Sequence, residues 1–304
     1  MPRSGTVGRV STDPAARALV AGLVDDAAIF PPGNAPLADA VPAHVRHAAS
    51  SYGFVVGPFV CSDRALPDLS RLLEAEPPEQ PLPLTLVVVG GAGAIEPALT
   101  WAGRDPYLDV RAVESALRDE DDLAHNAARV VTVLDLALPD GVDAYVELPR
   151  LTGPEPTAGW LNAADAVAEA GHRLKFRTGG ESKEAHPDET ELATVIDAAL
   201  DRQTAFKCTA GLHHGVRLTA GDTGFEQHGF GNVLLATGAL LDGAARDAAA
   251  AVLEDRDTDA VGKALRGLDE AAAARIRSWF RSFGSCSIDE PVADLTGWGL
   301  LGAA

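Results

Sequence analysis

Short, unbroken apolar runs alternate with longer amphipathic segments through most of this chain, and that alternation narrows the folds open to it more than any other feature. Phe54 to Cys61, carrying Val55, Val56, Phe59 and Val60, reads as a buried strand, followed by a helix at Leu66 to Leu73. Leu82 to Val89 is a second such strand, closed by Gly90-Gly91. Neither run shows the polar-apolar alternation of a half-solvated strand. They suit a sheet covered on both faces, as in repeated βα units.

The rhythm continues less evenly. Val110 to Ser115 reads as a strand presenting Glu114. Leu123 to Leu138 reads as its helix, although Val130 to Leu134 is equally good strand by composition. Tyr145 to Leu148 is a short strand cut off by Pro149, which puts Glu147 at its carboxyl end. A helix over Thr157 to Ala170 leads through Gly171 into a strand bearing Lys175. Another, from about Pro187 to Leu200, opens with Asp188, Glu189 and Glu191, acids that suit a helix N-terminus, and leads into a strand bearing Lys207. With Asn232 to Ala236 as a late strand and Ala27 to Phe30 as an early one, the count reaches eight. The pattern predicts an α/β chain folded as a (β/α)8 TIM-type barrel: one domain over 1–304, its body at about 20–245 and a helical C-terminal extension at about 246–304, docked through Ile276, Trp279, Phe280 and Phe283. An open doubly wound sheet is the alternative, but Gly90-Gly91-Ala92-Gly93 lacks the spacing of a dinucleotide fingerprint.

Charge and cysteine usage remove several function classes. With 44 acidic against 25 basic residues the net charge is -19, which excludes a nucleic-acid groove while leaving room for a local basic pocket inside an acidic shell. Cys61, Cys208 and Cys286 are too widely spaced for a zinc motif or a disulfide framework; Cys208 and Cys286 read as packing thiols. The N-terminus has no apolar signal core and no run reaches membrane-spanning length, so no membrane partner is expected and the cytoplasm is the expected compartment.

Lysine is scarce, with four in the chain, and two of them sit in short apolar segments ending at glycines: Leu174 to Gly180 and Phe206 to Gly211. A buried ammonium is costly to keep charged, so such a lysine is a candidate amine nucleophile. Residues two apart in a strand share a face, which pairs Lys175 with Arg177 and Lys207 with Thr209. Two cations converging in a confined pocket are expected to depress each other's pKa and free one amine to form an iminium with an aldehyde or ketone. The competing expectation is that both lysines neutralise Glu147 or Glu114. Near the start, Asp25-Asp26 precedes Pro31-Pro32-Gly33 and places an acid either at the barrel mouth or at its bottom.

At Lys175-Phe176-Arg177-Thr178-Gly179 and Lys207-Cys208-Thr209-Ala210-Gly211 the chain resembles the class I aldolase barrels of the deoxyribose-phosphate aldolase type. The resemblance covers about 40 residues. It implies a Schiff-base lysine on the sixth strand at Lys175 and a tuning lysine on the seventh at Lys207, with Thr178, Gly179 and Thr209 near the substrate. Two departures bear on the substrate: Arg177 is bulky where that family has a small polar residue, and Gly211 is followed by Leu212-His213-His214 in place of a glycine-led phosphate loop. Arg177 instead suits a carboxylate.

His213, His214 and His228 are the proton-transfer candidates, with Arg217 and Asn232 as further substrate contacts. His213, His214 and Glu147 also make an alternative metal set for Zn or Mn, although no H-x-H or H-E-x-x-H spacing reinforces it. The expected function is therefore an aldolase-like carbon–carbon lyase, without cofactor, acting on a small carbonyl or carboxylate-bearing molecule through a lysine imine. A divalent-metal lyase, isomerase or hydrolase and a non-catalytic ligand-binding barrel are the alternatives, and homo-oligomerisation is left open.

Overall fold

A computed structural model describes residues 13–118 and 121–302, so the N-terminal stretch inspected for a signal core lies outside the described residues. Eight parallel strands close into a barrel: β1 (Val24–Asp26), β2 (Val56–Ser62), β3 (Leu82–Val88), β4 (Leu108–Ala116), β5 (Asp143–Glu147), β6 (Arg173–Arg177), β7 (Phe206–Thr209) and, after a small antiparallel ribbon of β8 (Leu218–Thr219) and β9 (Glu226–Gln227), β10 (Phe280–Ser285). Around the circle β10 lies between β7 and β1. Helices α1 (Pro14–Val20), α2 (Leu37–Ala48), α3 (Leu66–Ala75), α4 (Ala92–Ala102), α5 (Leu123–Ala137), α6 (Ala158–Glu169) and α7 (Glu189–Asp201) precede β10's return, as do α8 (Phe230–Leu241), α9 (Arg246–Glu254), α10 (Thr258–Arg266) and α11 (Glu270–Trp279). A last helix, α12 (Asp289–Gly297), follows the closing strand.

Local chemistry sets several of these boundaries. Asp122, Thr157 and Asp188 each cap a helix by accepting from a backbone N–H of its first turn: His125 at α5, Trp160 at α6 and Glu191 at α7. The run at Val130 to Leu134 belongs to α5 and forms no strand; Val130 and Leu134, four residues apart, are both buried on one helical face.

The first and last strands differ from expectation. The early strand is Val24–Asp26 and not Ala27 to Phe30: pairing with β10 ends where Ala27 donates to Ser285 O, and the chain then turns through Pro31-Pro32. The eighth strand is β10, whereas Asn232 to Ala236 lies inside α8. That segment is apolar on all sides because α8 is overlaid by α9, α10 and α11, and a fully buried helix reads like a buried strand over a short window. The body expected to finish at about residue 245 thus omits the strand that closes the barrel, and the C-terminal segment is part of its wall as well as a set of helices. Phe280 and Phe283 do not dock a tail. Phe280 stacks on Phe206 of the neighbouring strand at 5.3 Å, and Phe283 stacks on Phe230 of α8 at 5.2 Å, both fully buried.

Candidate active site

The inward faces of five strands assemble an alternating row of charges. Register places Glu147 of β5 beside Lys175 of β6, and Lys175 beside Lys207 of β7. Lys175 Nζ lies 2.6 Å from Glu114 Oε2 and 2.9 Å from Glu147 Oε2. The other oxygen of Glu114 lies 2.6 Å from Lys207 Nζ, which also pairs with Asp25 of β1. Arg177 Nε donates to Glu147 Oε1 at 2.8 Å, and Ser282 of β10 donates to Asp25 at 2.9 Å. The row runs Asp25, Lys207, Glu114, Lys175, Glu147, Arg177, three acids against three bases. Charges this deeply buried persist only when paired.

The two lysines do not depress one another, contrary to the sequence expectation. Burial on its own would lower the pKa of Lys175, but attraction and hydrogen bonds from Glu114 and Glu147 outweigh it and the value is raised. The same balance, with Asp25 and Glu114 as partners, raises Lys207. Glu114 shows the reverse: burial opposes its charge, yet two ammonium neighbours bring its pKa down to about 2. Glu147 is lowered against burial by Lys175 and Arg177. Asp25 is raised, because burial and the nearby Glu114 carboxylate outweigh its one ammonium partner. Interleaved carboxylates turn two like charges into a ladder of opposite ones, and both amines rest as ammonium ions.

Above this row a cavity of about 380 Å³ opens at the carboxyl ends of the strands. Lys175, Arg177, Glu114, Glu147, Thr209 and His213 line it. Lys207, 1% exposed, lies beneath the cavity and reaches Lys175 through Glu114; its ammonium stands 5.2 Å from the Tyr145 ring centre. Of the two lysines, Lys175 therefore faces the open space. Its cavity is walled by Val87, Val88 and Val89 from the end of β3 and by Phe30 and Pro31 from the loop after β1.

The remaining sequence candidates divide. Thr178 is fully buried and donates to the Thr209 carbonyl at 3.2 Å, tying the ends of β6 and β7 together. Gly179 and Gly211 pack so closely that a Cβ on Gly179 would lie 2.8 Å from Gly211 Cα. These residues shape the rim and do not present a functional group to it. His214 points to Asp294 of α12 at 3.3 Å. His228 is enclosed elsewhere, between the Pro187 carbonyl at 2.9 Å and Arg217 Nη1 at 3.1 Å, and burial together with that guanidinium brings its pKa down to about 4. Asn232 accepts from the Arg217 N–H and donates to the Val252 and Asp255 carbonyls. His228, Arg217 and Asn232 thus stitch the loops around α8 and do not line the cavity. The alternative metal set is likewise dispersed: His213 pairs with Glu290, His214 with Asp294 and Glu147 with Lys175 and Arg177. Among the described residues no three His, Cys, Asp or Glu side chains are grouped to hold a metal ion.

Sequence reasoning offered Glu114 as a lysine partner and left Asp25 between barrel mouth and bottom, without assigning either to the site. Each is a charged residue on the inner face of a barrel strand, and such a position demands a partner. Asp26, by contrast, points outward to His44 Nδ1 at 3.1 Å. Also unforeseen at the cavity were Arg118 and the Cys286 thiol, whose Sγ lies 3.9 Å from either ring nitrogen of His213. Burial raises the Cys286 pKa, so it stands there as a protonated thiol. His213 Nδ1 is held by Glu290 at 3.0 Å.

No protein-family model matches the chain, and no curated protein matches it. Among solved structures it is similar to deoxyribose phosphate aldolase from Aeropyrum pernix, described as a tetramer, with 12% identity and a TM-score of 0.54 over 94% of this chain and 98% of that one. The two chains share the (β/α)8 barrel fold. A looser likeness, TM-score 0.43 at 12% identity, covers 91% of this chain and 51% of a chain containing the carboxyl transferase domain of Rhizobium etli pyruvate carboxylase.

Proposed function

We propose that this protein is an aldolase-like carbon–carbon lyase in which Lys175 forms an imine with a small carbonyl compound. The observation that carries the reading is a lysine that faces the cavity and is held there by two carboxylates, Glu114 at 2.6 Å and Glu147 at 2.9 Å. The ammonium releases a proton to solvent, the neutral amine adds to the carbonyl carbon, and a proton is returned to the resulting hydroxyl. The carbinolamine then loses its hydroxyl as water to leave an iminium. That cation accepts the electron pair of a neighbouring carbon–carbon bond, which breaks as the departing fragment's hydroxyl gives up its proton and becomes a carbonyl. His213, on the same cavity and held through Nδ1 by Glu290, is the group assigned to that second proton. Lys207 stabilises Glu114 as an anion from below and does not touch substrate.

The proposal requires no cofactor. It includes a homo-oligomeric assembly, supported by the tetramer described for the Aeropyrum enzyme and checked by light scattering. Among the described residues no helix is long and apolar enough to cross a membrane. The direct test is borohydride reduction in the presence of a panel of aldehydes and ketones, followed by peptide mass spectrometry. The expected result is a reduced adduct on Lys175. Absence of any adduct across the panel, with ligand binding intact, replaces catalysis with a binding function.

A further inference from the structure

The charge row accounts for Arg177 and, among the described residues, leaves Arg118 at the cavity outside it. Arg118, two residues past the end of β4, lines the cavity and is engaged there through a backbone group only: its Nη2 donates to the Gly90 carbonyl at 2.9 Å. Its guanidinium lies against Gly91, where a Cβ would meet Nη2 at 3.2 Å, and Gly91 has a φ of +73°, so two constraints keep a side chain from that spot. Among the described residues Arg118 has no carboxylate partner, whereas Arg177 is bound to Glu147 through Nε alone. The terminal amines of Arg177 remain available on a side chain that is 41% exposed.

Both guanidinium groups line the cavity that Lys175 faces. Arg118 reaches it from the exit of β4 with Nη2 on the Gly90 carbonyl, and Arg177 from the end of β6 with Nε on the Glu147 side chain. Glu147 also holds Lys175, so the Arg177 fork stands beside the amine, and Arg118 lines the same cavity. Glu181, the other charged residue on the cavity that lies outside the row, is exposed to water. Planar forks of this kind are matched to the two oxygens of a carboxylate. Lys175 and Arg177 are two residues apart on one strand face, about 6.6 Å along the backbone, and amine and guanidinium bond the two oxygens of one carboxylate, Glu147.

We infer that Arg118 and Arg177 form an anion clamp, and that the carbonyl compound taken by Lys175 is a short oxo acid whose carboxylate lies next to, or one carbon removed from, the reacting carbonyl. This inference deepens the imine reading and rests on it for the identity of the reacting carbon. The clamp itself does not depend on imine chemistry.

Calorimetric titration with oxamate and with its neutral amide, oxamide, separates the two questions, since neither probe forms an imine. Oxamate is expected to bind at least about tenfold more tightly than oxamide, a difference of about 1.4 kcal/mol. Arg118→Ala should weaken oxamate by a similar factor and leave oxamide unchanged, with Arg118→Lys falling between. Arg118 donates only to a backbone carbonyl at the cavity rim, so its loss should leave the thermal midpoint in place. Equal affinity for the two probes, no binding of oxamate, an unchanged oxamate affinity in Arg118→Ala, or tighter binding of inorganic phosphate than of oxamate would each overturn the clamp. Lysine adducts formed with neutral carbonyls but no oxamate binding would leave the imine reading standing and remove this one. Oxamate binding without any adduct would do the opposite.

Discussion

Replacing Glu114 by glutamine probes the centre of the charge row. The carboxylate sits 2.6 Å from each of two ammonium nitrogens and is 3% exposed, so the substitution removes the one anion that both lysines share. Deleting one partner of a buried ion pair costs about 3–5 kcal/mol, because the remaining charge is left desolvated. Unfolding entropy of about 2.1 cal/mol/K per residue gives roughly 0.6 kcal/mol/K for a chain this long, so the thermal midpoint should fall by about 5–8 °C. The same change should lower the pKa of Lys175, which keeps only Glu147, itself shared with Arg177. In the parent protein the raised Lys175 pKa makes the neutral amine scarce, so the rate of borohydride trapping should climb with pH well into the alkaline range. In Glu114→Gln that climb should begin at lower pH, with tenfold more neutral amine for each unit the pKa falls. Differential scanning calorimetry and a trapping-rate profile read the two effects on one sample. A midpoint and a profile both unmoved would show that Glu114 does not govern the lysines, and the ladder account of the site would fail.

Lys175→Met should abolish adduct formation, while Lys207→Met should retain the adduct on Lys175 at a reduced rate; peptide mapping after reduction distinguishes them, and an adduct on Lys207 in the first variant would reverse the assignment. His228 stays neutral in the fold down to about pH 4, against 6.5 for the free side chain, so the unfolded chain binds the extra proton first. Stability should therefore drop as pH falls from 6.5 toward about 4, and urea midpoints should show His228→Gln flattening that window. Glu114, with its pKa lowered from 4.5 to about 2, contributes stability that is complete above 4.5 and lost as pH falls through about 2, and Glu114→Gln should remove that acid limb. Gly211→Ala meets a φ of +74° and a Thr178 carbonyl 2.8 Å from the new Cβ, and should cost more than the roughly 1 kcal/mol of left-handed strain alone, read from the denaturation midpoint. A chain ended after Gly243 lacks β10 and should give no cooperative transition by circular dichroism; a stable monomer would contradict the closure described here.

The βα rhythm was legible because parallel strands covered on both faces leave apolar runs, and β2 to β7 were located, β4 among them at Val110 to Ser115 although it carries Arg111 and Glu114. The two misplaced strands carry the opposite signature. Val24-Asp25-Asp26 is two-thirds acid, a composition that strands disfavour, and it is stable only because Lys207 and His44 receive those carboxylates from distant parts of the chain. Phe280 to Ser285 mixes arginine, serine and glycine with its two phenylalanines, while α8 is apolar throughout, so the weaker-looking segment became strand and the stronger-looking one helix. At the site, the inward lysines followed from strand periodicity, and their neutralisation by Glu147 or Glu114 was the competing expectation that the ion pairs match. The protonation of both lysines did not follow, because it depends on Glu114 and Asp25, and on a register across five strands that no local window contains.

The seam between β1 and β10 also has a bearing on time. Ser282 and Asp25, joined by a hydrogen bond, are 257 residues apart in the chain, and Asp25 is the partner that Lys207 requires. On a ribosome that delivers the N-terminus first, seven of the barrel's strands and both lysines emerge while the eighth is still unmade. Until the last segment arrives, β1 can contact β2 but has no neighbour on its other edge, and hydrogen exchange on stalled nascent chains should find its amides unprotected. The centre that holds the amine is thus finished only when nearly the whole chain has been made, and a prematurely ended product carries the lysines without the geometry that would make them reactive.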